Sequence, residues 1–263
     1  LVDVVQYNRE AWDREASDGE SDWCQPVSAD LVAAARKGEF SIILTPNKPV
    51  PADWLGVVAG RDILGLASGG GQQVPILAAA GANVTSFDNS DAQLALDNLV
   101  AKREGLSLRT VQGDMADLSV FADESFDLIF NPVSTCFVPD VLPVWNECHR
   151  VLKPGGRLLS GVMNPAYYLF DRVALEKGAE PLAQYPLPYA DPVHLSAQAL
   201  DTWMEKKWAF EYSHTLEALI GGQTAAGLCI AGFYEDSWND EATPLNKLMS
   251  TSIATLAIKS SIL

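Results

Sequence analysis

The chain has 263 residues, a formal net charge of −16 and 48% hydrophobic residues, which suits one core domain with an extension or insertion better than two independent domains. Such an acidic balance repels polyanions and argues against a nucleic-acid partner, and Arg150, Lys153, Lys206 and Lys207 are too scattered to make a basic patch. The longest apolar runs, at 31–35 and 76–80, fall far short of the roughly 20 residues that span a bilayer, and no basic start leads into an apolar stretch, so neither a membrane partner nor a secretory leader is expected.

Residues 1–56 are rich in charge, tryptophan and proline and hold no βαβ unit. Residues 29–37 read as a short helix capped by Ser28. Residues 41–44 look β-like, and Pro46, Pro49 and Pro51 then break the chain. The whole stretch is expected to be an N-terminal lid packed onto a larger body. From Asp62 the pattern changes. Residues 63–66 form a short apolar strand, followed at once by Gly69, Gly70 and Gly71. A helix follows, with Val74, Leu77 and Ala78 at helical spacing and Gly81 at its end. Residues 84–87 form the second strand, with Asp88 at its carboxyl end.

Ser90 and Gln93 have capping-box spacing, so a second helix starts there, carrying Leu96, Leu99 and Val100. Residues 108–111 are a third strand, ending in Gly113-Asp114. Residues 126–130 are a fourth, ending in Asn131-Pro132. The next helix puts Val141, Trp145, Cys148 and Leu152 on one face. It stops at Lys153-Pro154-Gly155-Gly156, and residues 157–163 form a fifth strand. Residues 166–224 interrupt the alternation and are expected to be an inserted cap. Within them, 185–189 reads as strand or loop, 210–215 as a strand and 216–226 as helical. Residues 228–234 and 253–258 are two last strands without a helix between them, which suggests an antiparallel pair.

Strands alternating with helices imply an α/β fold with a mostly parallel sheet. Right-handed crossovers bring the strands' carboxyl ends to one rim, where ligands of such sheets bind. Gly69, Asp88, Asp114 and Asn131 all fall at those ends. A glycine turn between strand and helix lets a ligand approach backbone N–H groups closely. Asp88, 17 residues beyond Gly71, is placed to accept bonds from both hydroxyls of a ribose. These features describe a site for an adenosine-containing ligand. They leave NAD and S-adenosylmethionine both open.

Gly113-Asp114-Met115, then Phe126-Asp127-Leu128-Ile129-Phe130, then Leu152-Lys153-Pro154-Gly155-Gly156 follow in order. This series resembles the class I S-adenosylmethionine-dependent methyltransferases over residues 57–164 and the last forty. Residues 66–73 and 131–140 resemble a less characterised bacterial subgroup of them. The resemblance implies a Rossmann-like sheet of seven strands, the last antiparallel beside the fifth. The core would comprise 57–165 and 225–263. The cofactor would be S-adenosylmethionine and the partner a small-molecule methyl acceptor. Gly65, Ala67, Ser68, Gly69 and Gly71 would wrap the methionine part, with Gln72 and Gln73 near its carboxylate. Asp88 would hold the ribose, with Asn89 beside it. Asp114 would meet the adenine amino group and Met115 its ring. Asn131, Pro132 and Val133 would lie beside the sulfonium. The family loop usually has an acid where Gly65 stands and glycine where Ala67 stands.

Methyl transfer from a sulfonium needs positioning more than side-chain chemistry, and a base only where the acceptor must lose a proton. His214, near Glu217, is the candidate base; the plainer reading is a histidine completing a local hydrogen-bond network. Tyr7, Trp12 and Trp23 are candidates for the lid's inner face. Tyr185, Tyr189 and Tyr234 are candidates for an acceptor pocket, and Tyr7 and Trp12 are counted with them as substrate contacts, though packing is the plainer role for each. The acid run Glu235-Asp236 with Asp240 and Glu241 reads as a solvated loop. Cys24, Cys136, Cys148 and Cys229 match no zinc or CxxC spacing, so no metal is expected and all four read as reduced thiols of a cytoplasmic protein. Two rivals share the glycine loop and Asp88: a nicotinamide-dependent oxidoreductase, and a non-catalytic S-adenosylmethionine-binding regulator.

Overall fold

The apolar runs pair into one seven-stranded sheet in a computed structural model that describes residues 2–19, 21–239 and 242–260. Asp240 and Glu241 of the acid run lie outside the described residues. In chain order the first elements are α1 (Val4–Asp18), α2 (Ala29–Ala35), α3 (Ala52–Leu55), β1 (Asp62–Leu66) and α4 (Gln73–Ala79). Next come β2 (Asn83–Asp88), α5 (Asp91–Glu104), β3 (Leu108–Gln112), β4 (Phe126–Asn131), α6 (Leu142–Val151) and β5 (Leu152–Met163). The chain then forms α7 (Arg172–Glu176), α8 (Asp191–His194), α9 (Ala197–Glu205), a π-turn at Glu217–Gly221 and α10 (Gly222–Ala225). It ends with β6 (Leu228–Asp236) and β7 (Ser252–Lys259).

The strand order is β3-β2-β1-β4-β5-β7-β6. β1 to β5 run parallel, and β7 enters antiparallel between β5 and β6. This is the seven-stranded class I methyltransferase arrangement that the motifs implied. Ile63, Leu64, Leu66, Leu128, Ile129 and Phe130 are all fully buried, because helices cover both faces of these central strands. One face packs on α2, α3 and α4 through residues such as Val32, Trp54 and Leu77. The other packs on α6 through Val144, Trp145 and Cys148. The buried face expected for α6 is present, and Trp145 Nε1 donates to the Ala218 carbonyl. Lys153 of the Lys-Pro-Gly-Gly turn sits at the amino rim, 2.7 Å from Asp62 and 3.0 Å from Asp127. Its role there is to tie strands together, away from the carboxyl rim.

Several local expectations are corrected. Residues 210–215 form no strand; an isolated bridge between Ala190 and Tyr212 is the only pairing there among the described residues. Residues 41–44 likewise contribute only the bridge of Ile43 to Pro49. Leu99 of α5 is exposed, and the helix buries Gln93 and Asp97 instead. The 15-residue α1 was not foreseen. Asp3 caps it by accepting from Gln6 N, and it packs along α5. Its buried residues are Asn8 and Ala11, so no apolar stripe announces it.

Among the described residues no helix is long and apolar enough to cross a membrane. Ser28 does cap α2, and Ser90 caps α5 by accepting from Gln93 N at 3.1 Å. Asp13 of α1 adds to that cap: its Oδ1 accepts from Ser90 Oγ at 2.6 Å and from Ala92 N at 3.1 Å. A carboxylate there also suits the positive end of the helix dipole.

Candidate active site

The carboxyl ends of β1, β2, β3 and β4 open into one cavity of about 250 Å³. Its first wall is the loop between β1 and α4. Ala67, Gly70 and Gly71 take φ of 47°, 110° and 74°, so the loop turns its N–H groups inward on itself and on its neighbours. Ala67 N donates to the Phe87 carbonyl, Gly69 N to Asp88 Oδ2, Gly70 N to the Gln93 carbonyl and Gly71 N to Asp97 Oδ1. Val27 N in turn donates to the Gly71 carbonyl at 2.8 Å, which seats the N-terminal segment over the loop. Gly65 lies under it. A Cβ at Gly65 would stand 2.6 Å from Val74 Cγ2 and 2.7 Å from Ser68 Oγ. The acid usual at this position has no room here, because Ser68 and Val74 fill its place.

Asp88 closes β2. Its Oδ1 accepts from Ser90 N at 2.9 Å and its Oδ2 from Gly69 N at 3.0 Å. An ionised carboxylate offers about four acceptor positions, so two remain for a guest. Burial raises its pKa above the usual carboxylate range, opposed by those backbone N–H groups. Beneath it, Asp97 is fully buried and is pushed up to about 7, chiefly by burial, although Ser86 Oγ and Gly71 N both donate to it.

A carboxyl whose folded pKa is raised holds its proton longer folded than unfolded. Asp97 therefore removes stability as pH rises from about 4, its unfolded value, to about 7. Asp97→Asn keeps one acceptor for Gly71 and one donor for Ser86. It should match the wild type in urea unfolding at pH 4. At pH 8 it should be the more stable, by on the order of 1 kcal/mol once the weaker neutral bonds are allowed for. Equal urea midpoints at both pH values would contradict this.

Most of the expected cofactor residues meet in the cavity. Ala67, Ser68, Gly69, Gln72, Gln73, Asp88, Asn89, Asp114, Met115, Pro132 and Val133 all line it. Gly65, Gly71 and Asn131 do not. Asn131 is fully buried, donating to the Leu66 carbonyl and Ser134 Oγ and accepting from Ser160 Oγ, so it braces the strand ends from behind. Gln72 and Gln73 spend part of their amides on the N-terminal segment: Gln72 Nε2 donates to the Asp22 carbonyl, and Gln73 Oε1 accepts from Ile43 N. Asn89 is clamped by α1, donating to the Val5 carbonyl and accepting from Arg9.

Of the acceptor-side candidates, Trp12 lines the cavity, as does Trp23. Tyr7 does not: it stacks on Phe210 with ring centroids 4.2 Å apart, and its hydroxyl bonds backbone carbonyls of Trp203 and Trp208. Tyr185 and Tyr189 gather around Arg172 in a separate small hollow. Tyr234 packs against Trp54. His214 is buried outside the cavity, its Nε2 bonded to the Thr135 carbonyl at 2.9 Å and its pKa lowered by burial. It completes a local network, which leaves the cavity without a histidine among the described residues.

Other lining residues carried no signal read from the sequence. Gln93 approaches from α5, Tyr167 and Met163 from the end of β5 and beyond, Phe137 from the turn after β4, and Glu211 from the segment before the π-turn. A polar residue at 93 and another at 97, one helical turn apart, was the available sign that this face of α5 meets backbone rather than apolar core. Two buried oxygens of the lining, Ser68 Oγ and Gln93 Oε1, have no hydrogen-bond partner among the described residues.

Residues 64–160 match the family model described as "Methyltransferase domain". The chain is 45% identical to the "Uncharacterized methyltransferase YbaJ" of Bacillus subtilis (strain 168), over 97% of this chain and 98% of that one. It is 33% identical to the "Ubiquinone biosynthesis O-methyltransferase" of Pseudomonas syringae pv. tomato, over 54% of this chain and 62% of that one. Its fold is similar to that of an S-adenosylmethionine dependent methyltransferase from Mesorhizobium loti, with a TM-score of 0.60, 19% identity, and 79% and 94% of the two chains covered. These likenesses take the glycine loop away from the nicotinamide-dependent oxidoreductases that share it. With a relative of nearly equal length at 45% identity and a methyltransferase domain at its centre, the chain belongs to the S-adenosylmethionine-dependent methyltransferases.

Proposed function

We propose that the protein transfers the methyl group of S-adenosylmethionine to a small-molecule acceptor by in-line attack. One observation carries this reading: the glycine loop, Asp88, Asp114, Met115 and Val133 line a single cavity whose lining also includes Trp12, Phe137 and Tyr167. The unpartnered Ser68 Oγ and Gln93 Oε1 fit such a guest, since buried polar atoms need partners and an amino-acid and ribose moiety brings them. Asp88 would hold the ribose hydroxyls with its two remaining acceptor positions. Asp114, whose Oδ1 already accepts from Ala116 N, would turn its other oxygen to the adenine amino group, with Met115 against the ring. Gln93 and Ser68 would take the place of the missing acid at 65. Pro132 and Val133 would lie beside the sulfonium.

When bound, S-adenosylmethionine supplies a methyl group already activated on a sulfonium. The protein's task is then to exclude water and align the acceptor. We read residues 1–56 as a lid and 166–224 as a cap: Trp12 and Trp23 reach the cavity from the first, Tyr167 and Glu211 from the second. The test is calorimetric titration of S-adenosylmethionine and of its demethylated product. Binding of both at micromolar concentration is the expected outcome, and no binding at millimolar ligand would end the reading. Fluorescence change on mixing with NADH would bring back the oxidoreductase alternative. Tight cofactor binding without turnover across a metabolite panel would favour the regulator.

A further inference from the structure

Glu211 lines the cavity beside the turn after β4, where Tyr212 N donates to the Cys136 carbonyl, and several groups hold it there. Arg172 pairs with its Oε2, and Tyr168 donates its hydroxyl to the same oxygen at 2.7 Å. Arg172 is itself fixed. It bonds Asp191 Oδ1 at 2.5 Å and lies over the rings of Tyr168, Tyr189 and Trp203 at 5.0, 5.7 and 5.4 Å. Asp191, fully buried, also accepts from Glu211 N at 2.7 Å and from the Tyr189 hydroxyl at 2.8 Å. Backbone and carboxylate of Glu211 are thus both pinned. Both side-chain partners lie on Oε2. No described residue bonds Oε1, and the residue lines the cavity.

The charges of the lining are one-sided. Its carboxylates are Asp88, Asp114 and Glu211, with no lysine, arginine or histidine among the described lining residues. Asp88 and Asp114 belong to the nucleoside end. Glu211 is the charged group left for the acceptor. Around it the walls are aromatic: Phe137 meets Trp12 edge to face at 5.1 Å, and Tyr167 meets Tyr168 at 5.5 Å. Such rings favour a flat apolar guest. A carboxylate or phosphate on that guest would face this carboxylate, whose one counter-charge, Arg172, is already shared between Glu211 and Asp191, so it would be disfavoured.

We infer that Glu211 is the acceptor-recognition residue, and that the acceptor is a flat, neutral or cationic molecule whose N–H or O–H group donates to Glu211 Oε1. Arg172 and Tyr168 are positioning residues that hold the carboxylate in place. This rests on the methyltransferase reading of the cavity. It adds the chemical class of the acceptor.

The test uses the whole protein saturated with S-adenosylhomocysteine and three probes of one shape: tyramine, para-ethylphenol and para-hydroxyphenylacetate. Ligand-observed NMR titration should rank tyramine at least equal to the neutral phenol, and both about tenfold above the anion. Glu211→Gln should keep S-adenosylhomocysteine affinity within about twofold, lower tyramine affinity about tenfold, and raise that of the anion. Equal binding of anion and cation by the wild type, binding of no probe, or an unchanged ranking in Glu211→Gln would each overturn the inference. A protein that fails to bind S-adenosylhomocysteine at all would instead overturn the reading of the cavity on which it rests.

Discussion

Asp88→Ala is expected to weaken S-adenosylhomocysteine binding by roughly 1.5–3 kcal/mol, which is about ten- to 150-fold in Kd. The range is that of lost hydrogen bonds to a charged group. It follows from geometry: the Gly69 and Ser90 N–H groups orient the carboxylate and leave two acceptor positions for ribose. Calorimetry on the folded variant checks it, and an unchanged Kd would mean that the ribose is held elsewhere. The raised pKa gives the wild type a second signature. The ionised form is the one that binds, so affinity should fall with acidification once the pH drops below that raised value, by up to tenfold per unit. Asp88→Ala should lose this dependence along with its affinity.

Gly70→Ala should cost both stability and cofactor affinity. At φ 110° an alanine is strained, by about 1–3 kcal/mol. Its Cβ would also stand 2.4 Å from the Trp23 carbonyl oxygen and 2.9 Å from Gln93 Oε1. Backbone must then move, at roughly another 1–3 kcal/mol. Both groups displaced line the cavity, so binding suffers with folding. Gly178→Ala is the control. Its φ is 82° but a Cβ there meets nothing within 4 Å, so it pays only the backbone part and leaves binding unchanged. Urea unfolding and calorimetry of the two variants separate the terms. Equal stability losses would show that the N-terminal segment yields freely at Trp23.

The sheet was legible because its signals are local. Short apolar runs fully buried on both faces read as parallel strands, and Gly, Asp and Asn at their ends mark the rim where ligands sit. The inserted position of β7 came from the motif series, since strand order is not written in periodicity. What stayed hidden depends on polar contacts between distant segments. α1 is tied down by Asn8, whose Nδ2 donates to the carbonyls of Phe137 and Phe210 and whose Oδ1 accepts from Phe210 N. No apolar pattern accompanies such anchoring. On α5 the apolar residues Leu96 and Leu99 suggested one buried face, but the glycine loop presents N–H groups, so Gln93 and Asp97 turn inward. Glu211 shows the same limit: an acid between Phe210 and Tyr212 acquires meaning only from Arg172 and Tyr168, about forty residues earlier. Aromatic residues were the weakest guide, because Tyr7, Tyr185, Tyr189 and Tyr234 serve packing as readily as they would serve a pocket.

The three carboxylates of the lining also bear on how turnover resets. Where the described lining residues carry only negative formal charges, a sulfonium-bearing donor would be gripped more firmly than the uncharged thioether left once the methyl has gone. The electrostatic hold then slackens at the moment of transfer, which favours exchange of the spent nucleoside for a fresh one.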